Sequence, residues 1–240
     1  MTLSGDTPHT PAWTPLDARQ RRVLGVLIEK AKTTPGAYPM SVNAIVTGCN
    51  QKNNRDPLTS YDEIDVEQAL DELRTLKVVS EIDWLGRVSK YKHHAYEWLG
   101  VNRPEAAVMT ELLLRGAQAL GELRARAARM EPIADLAELK PLVDGLLERR
   151  LMIELSPPGR GQVVSHNLYI AAELAELRAR HSGQAPRDEA PATPAAGAAR
   201  PAGAGAPPSL ATEVAELRAE VAGLREKVAE LEALLRQSQG

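Results

Sequence analysis

This 240-residue chain contains no phenylalanine, and its aromatics amount to only 3%. Its cores must therefore be packed mainly from aliphatic side chains, and a hydrophobic content of 43% is enough for one or two domains. Cysteine is nearly absent too. The single Cys49 excludes an intramolecular disulfide and fits a reducing compartment. No apolar run approaches the roughly 20 residues a membrane helix needs. The N-terminal stretch, with Asp6 and His9 among early prolines, has no signal-peptide core. These absences lead to the expectation of a cytoplasmic protein without a membrane partner. A basic surplus is also missing. The net charge is −3, residues 16–100 hold 12 Lys/Arg against 12 Asp/Glu, and residues 101–180 hold 11 against 11. No bulk field draws either region to nucleic acid, so any such site must be a local patch.

Catalytic constellations are lacking as well. Cys49 lies beside Asn50 and far from His93 and His94. It reads as a small buried residue closing a helix, with nothing local to lower its pKa. Neighbouring strand residues point to opposite faces, so His93 and His94 cannot grip one metal ion from the same side. No glycine-rich loop has the spacing of a phosphate cradle. The expectation is a protein that is not an enzyme and holds no metal and no cofactor.

The clearest positive signal is a heptad repeat near the C-terminus. Val214, Leu217, Val221, Leu224, Val228 and Leu231 alternate steps of three and four, with Val at a and Leu at d. That choice favours two parallel strands. In such a pair Glu213 faces Arg218, Glu220 faces Arg225 and Lys227 faces Glu232, all opposite in sign. Residues 210–236 therefore predict a parallel homodimeric coiled coil. Residues 182–209, nearly all Ala, Pro, Gly and Ser, cannot bury enough surface to fold and predict a disordered linker of roughly 30 Å coil reach.

Between a flexible stretch at 1–15 and that linker, one pattern occurs twice. Leu16, Val23, Leu24, Leu27, Ile28 and Ala31 mark a first helix, and Ser41 caps a short second one carrying Val42, Ile45 and Val46. Val66, Ala69, Leu70, Leu73 and Leu76 mark a third. The period then switches to two around Val78–Trp84, turns at Gly86-Arg87 and returns through Val88–His93. In the second copy Val108, Met109, Leu112 and Leu113 match Val23, Leu24, Leu27 and Ile28. Residues 71–82 align without gaps on 144–155, and Pro157–Gly161 turns between strands at Leu151–Leu155 and Gln162–Tyr169. The predicted fold is mainly α with small β-wings (α+β). It comprises a winged helix-turn-helix domain at 16–100 and a second at 101–181 with a trailing helix.

Several strings in these regions are distinctive. The first holds Glu29-Lys30, Thr33-Thr34-Pro35, Tyr38-Pro39, Ser41-Val42-Asn43 and Cys49-Asn50-Gln51-Lys52, then Asn54-Arg55 and Pro57. The second holds Leu112 through Gln118, Gly121 through Arg124, Arg126-Ala127 and Arg129-Met130. Over about residues 16–170 the chain resembles the YceH family of uncharacterised bacterial proteins. The resemblance implies two tandem winged-helix domains and no established activity.

Winged helices invite a DNA-binding reading, but the third helix opens with Asp62, Glu63 and Asp65 and continues with Glu67, Asp71 and Glu72. Its cations come late, at Arg74 and Lys77, and the helix dipole does not outweigh several full carboxylates. The matching helix opens with Asp135 and Glu138. Duplex DNA would instead be met by two local patches. One is Asn50, Gln51, Lys52, Asn54 and Arg55, and the other is Arg115, Arg124, Arg126 and Arg129 with the wing-tip Arg160. The competing reading is a protein-interaction scaffold or assembly factor that uses the winged-helix surfaces.

Overall fold

The computed structural model describes residues 13–82 and 88–182, which fall within one compact unit. The expected hairpin tip, the linker beyond Ser182 and the zipper, including Val214, Leu217, Val221, Leu224, Val228 and Leu231, lie outside the described residues.

The first half runs α1 (Ala18–Thr33), α2 (Val42–Cys49), α3 (Glu63–Thr75), β1 (Val79–Ile82), β2 (Lys90–His93) and a short α4 (Ala95–Leu99). The second runs α5 (Arg103–Arg115), β3 (Gln118–Ala119), α6 (Leu120–Ala127), α7 (Leu136–Glu148), β4 (Met152–Glu154), β5 (Val163–His166) and α8 (Ala171–His181). Caps fix the helix starts. Asp17 with Gln20, Asp62 with Asp65 and Asn102 with Glu105 form capping boxes, and Ser41 caps α2 as predicted.

The expected amphipathic first helix is instead buried all round from Arg21 to Glu29, and α5 is buried from Ala106 to Leu114. The reason is that α1 and α5 pack against each other at the centre, with α2 and α3 on one side and α6 and α7 on the other. A helix with protein on every side has no polar stripe to present. Close approach is possible because Gly25 lacks a side chain. A Cβ there would meet Leu114 Cδ2 at 2.9 Å. Across the other face of α1, a Cβ on Gly48 would meet Val26 Cγ1 at 2.6 Å, which sets the seat of α2.

The two halves repeat in detail. β1 pairs β2 antiparallel, and Met40 bridges to Tyr91 on the returning strand. In the second half β4 and β3 flank β5, with Gln118 opposite Val164. Lys77 and Arg150 both take left-handed backbone, with φ of 59° and 57°. The next N–H then donates back to the helix in each half, Val78 to Leu73 at 3.0 Å and Leu151 to Leu146 at 2.9 Å. After the return strand His94 N–H donates to Val78, and Asn167 N–H to Leu151. His93 Nδ1 accepts from Ala95 N–H, and His166 Nδ1 from Leu168 N–H. Tyr96 lies against His93 and Tyr169 stacks on His166. The sequence alignment at 71–82 thus extends to His93-x-x-Tyr96 over His166-x-x-Tyr169.

Candidate functional site

The predicted loop and the predicted arginines meet where the halves join. Asn54 adopts φ 58°, a left-handed conformation that asparagine tolerates, and this reversal sends Arg55 inward. The Arg55 side chain is fully buried. Nη1 and Nη2 both donate to the Glu29 carboxylate, Nε donates to the Gly48 carbonyl at 2.9 Å and Nη2 to Gln51 Oε1 at 3.0 Å. Glu29 also accepts from Arg129, whose Nη2 reaches Glu111 Oε2 at 3.1 Å. Glu111 is fully buried, and its Oε1 lies 3.1 Å from Arg115 Nε. That contact is too poorly aligned for a hydrogen bond and leaves both atoms without one. Arg115 Nη2 then donates to Asn54 Oδ1 at 3.0 Å. The result is a closed ring through Asn54, Arg55, Glu29, Arg129, Glu111 and Arg115.

The ring sets its own protonation. Burial alone would raise the Glu29 carboxyl, but hydrogen bonds and charge from Arg55 and Arg129 hold it below the usual carboxylate range. Burial alone would lower Arg129, but Glu29 and Glu111 push it up. Such a ring fixes two helices in one arrangement and engages its cations with carboxylates of the same chain.

The other predicted site residues are dispersed. The Asn50 side chain donates to the Tyr61 carbonyl at 2.7 Å and accepts from the Tyr61 N–H at 2.9 Å, pinning the loop to the start of α3. Gln51 serves Arg55. Arg124 donates to the Ala134 carbonyl at 3.1 Å, and Arg126 to Gln118 Oε1 at 2.7 Å, with Glu122 close by. Lys52 and Arg160 remain exposed, one on the loop and one in the β4–β5 turn. Sequence reasoning overlooked Glu29 and Glu111. The available signal was an acidic residue next to Ile28 in α1 and another between Thr110 and Leu112 in the apolar run of α5. A carboxylate inside an apolar run demands a partner.

The third helices present different chemistry. On α3, Asp62, Glu63, Glu67 and Asp71 are exposed, while Asp65 is held by Arg19 and Glu72 by Gln20. Of the two late cations expected, Lys77 lies beyond the end of α3 at Thr75, and Arg74 pairs with Asp71 at 2.9 Å and Glu81 at 3.0 Å. Two large apolar residues stand out, Ile64 among these acids at 73% exposed and Leu58 in the loop before α3 at 63% exposed. On α7, Leu136 is 53% exposed at the same end, and Lys140 is neutralised by Asp144.

Cys49 is fully buried, and burial pushes its thiol up to about 12, the reverse of an activated nucleophile. Burial pushes His93 down to about 4, and His94 Nε2 contacts Ser80 Oγ at 2.9 Å. Among the described residues no group of His, Cys, Asp and Glu side chains converges to hold a metal ion, and no helix is long and apolar enough to cross a membrane.

Fold and site define an α+β protein of two helical sets, each closed by a small antiparallel sheet and joined through a buried ion ring. The chain belongs to the family described as protein of unknown function, DUF480, which matches residues 16–160. It is 56% identical over 159 residues to a UPF0502 protein of Rhodopirellula baltica, covering 66% of this chain and 67% of that protein. It is 52% identical over 134 residues to a UPF0502 protein of Pelobacter propionicus, covering 56% and 61%. For one of Geotalea uraniireducens the identity is 42% over 163 residues, covering 68% and 74%. The expectation of an uncharacterised bacterial family therefore holds.

Proposed function

We propose that this chain is a non-catalytic interaction protein built from two winged helix-turn-helix domains, and that α3 docks a protein partner carrying basic and apolar side chains. One observation carries the reading. The helix that a DNA reader lays in the major groove here shows exposed Glu63, Glu67 and Asp71 around an exposed Ile64. Carboxylates repel phosphates, and Ile64 among them offers an aliphatic contact to a partner that carries apolar and basic side chains. The arginines expected to bind DNA support the same conclusion, since Arg55, Arg115 and Arg129 are engaged in the ring. The zipper at 210–236 would pair two such chains and raise the effective concentration of α3 for a repeated partner.

Site-specific photo-crosslinking in cells, with the crosslinker at Ile64, tests this alongside salt-titrated binding of the full chain to random duplex DNA. The reading expects a discrete protein adduct that disappears when Glu63 and Glu67 are changed to Lys. It also expects little DNA affinity at moderate salt. Tight, salt-dependent DNA binding that is lost on Lys52→Glu and Arg160→Glu, with no adduct at Ile64, would reinstate the DNA-binding reading.

A further inference from the structure

A second site is a cleft of about 530 Å³ between α8 and the loop at 56–61 that leads into α3. Buried Arg22 lines it. The described residues include three buried arginines, and two have a carboxylate partner: Arg21 is held by both oxygens of Glu173, and Arg55 by Glu29. Arg22 is different. It is 4% exposed, and its hydrogen bonds run only to main-chain carbonyls, from Nη1 to Cys49 at 3.4 Å and from Nη2 to Pro57 at 2.6 Å. No carboxylate among the described residues is in ion-pair contact with it. A guanidinium has five N–H donors, so capacity remains. Burial and the neighbouring Arg55 charge both push Arg22 down from its ordinary value, while Asp56 is the weakest influence the other way. A buried charge without a counter-charge is costly, and such a group is satisfied when an anion reaches it.

The rest of the cleft suits the body of such an anion. Tyr61, Tyr169 and Leu177 give it apolar and aromatic walls, and Arg180, exposed on the last turn of α8, adds a second cation at the mouth. Tyr169 is held in place by stacking on His166 and by the Arg21 guanidinium, 4.6 Å above its ring. Three carboxylates also line the cleft: Asp56 and Glu176 are exposed, where water screens them, and Glu173 is neutralised by Arg21. The volume falls within the roughly 300–1,000 Å³ of small-molecule sites.

We propose that this cleft binds an organic oxyanion, with Arg22 receiving the anionic group and the tyrosine-lined walls receiving an apolar or aromatic body. The ligand would touch both halves, through Arg22 and Tyr61 on one side and Tyr169 and α8 on the other.

Calorimetric titration of the full chain with phenyl phosphate, benzoate and neutral benzyl alcohol tests this. Saturable binding of at least one anion with Kd below ~1 mM is expected, with none for the alcohol. A preference for phenyl phosphate identifies the natural ligand as a phosphate ester, and a preference for benzoate identifies it as a carboxylate. Arg22→Gln should weaken binding by about 10-fold or more, the scale of a lost charged hydrogen bond. Arg180→Ser, at an exposed position that does not burden folding, should weaken it by a smaller factor. Absence of saturation, equal binding of the alcohol, or anion affinity unchanged in these variants would overturn the proposal. Should Arg22→Gln fail to fold, Arg180→Ser alone decides.

Discussion

Arg129, just past the end of α6, reaches across the junction to Glu29 at the C-terminal end of the buried stretch of α1, and the same carboxylate holds Arg55. One acidic side chain from the first half thus receives cations from both halves. The pairing explains why a loop rich in amides and cations turns inward. It also makes the junction depend on a charge that is only 2% exposed.

Removing that charge leaves the Arg55 guanidinium buried without its counter-ion. Glu29→Gln should therefore destabilise the protein by about 3–5 kcal/mol, the usual cost of breaking a buried pair. Arg129→Gln should cost less, because the Arg129 side chain is 28% exposed and each of its carboxylates keeps another arginine, Arg55 at Glu29 and Arg115 beside Glu111. Urea denaturation of the three proteins checks the order. An equal loss from both variants would mean that the ring acts only as a unit. The Glu29 pKa is depressed in the folded state, so its contribution is present above the ordinary value of 4.5 and is lost as pH falls through the lower folded value.

The paired histidines predict a second acid-sensitive contribution in a higher window. Burial lowers His93 from 6.5 to about 4 and pushes His166 well below 6.5. The unfolded chain then binds protons at these positions while the folded one does not. Stability should be fully present above pH 6.5 and fall as pH drops from there towards 4, by on the order of 1 kcal/mol per pH unit for each histidine. Chemical denaturation between pH 7 and 5 measures the slope. His93→Gln and His166→Gln should each flatten it, and an unchanged slope in both would show that other groups carry the acid response.

The helices and hairpins were legible because alternating apolar periods mark them directly. Ser41 marked the start of α2 by its capping chemistry, together with the apolar Val42, Ile45 and Val46. The junction was not legible. Single-residue spacing cannot tell that Arg55 follows a left-handed Asn54, or that Arg115, Arg129 and Glu111 converge from α5 and the end of α6. Arg115 and Arg129 read as part of a local basic patch for DNA because their acidic partners lie far along the chain or one helical turn inside the core. The repeat was legible only in part, since Asp71–Ile82 matches its counterpart without gaps but the returning strand is separated by hairpins of different composition.

Lys77 and Arg150 offer a direct test of that repeat. Both are exposed, both have left-handed backbone, and both precede an N–H that donates back to its helix. An L side chain there costs roughly 1–2 kcal/mol, whereas glycine adopts the conformation freely at an entropic cost of about 0.5–1 kcal/mol in the unfolded chain. Lys77→Gly and Arg150→Gly should each stabilise the protein by about 0.5–1 kcal/mol. Lys77→Val and Arg150→Val should each destabilise it, because a β-branched residue fits that conformation poorly. Thermal and urea unfolding of the four variants read the outcome. Matched signs at the two positions would establish the turns as energetically equivalent, and opposite signs would show that the halves share a shape without sharing the forces that hold it.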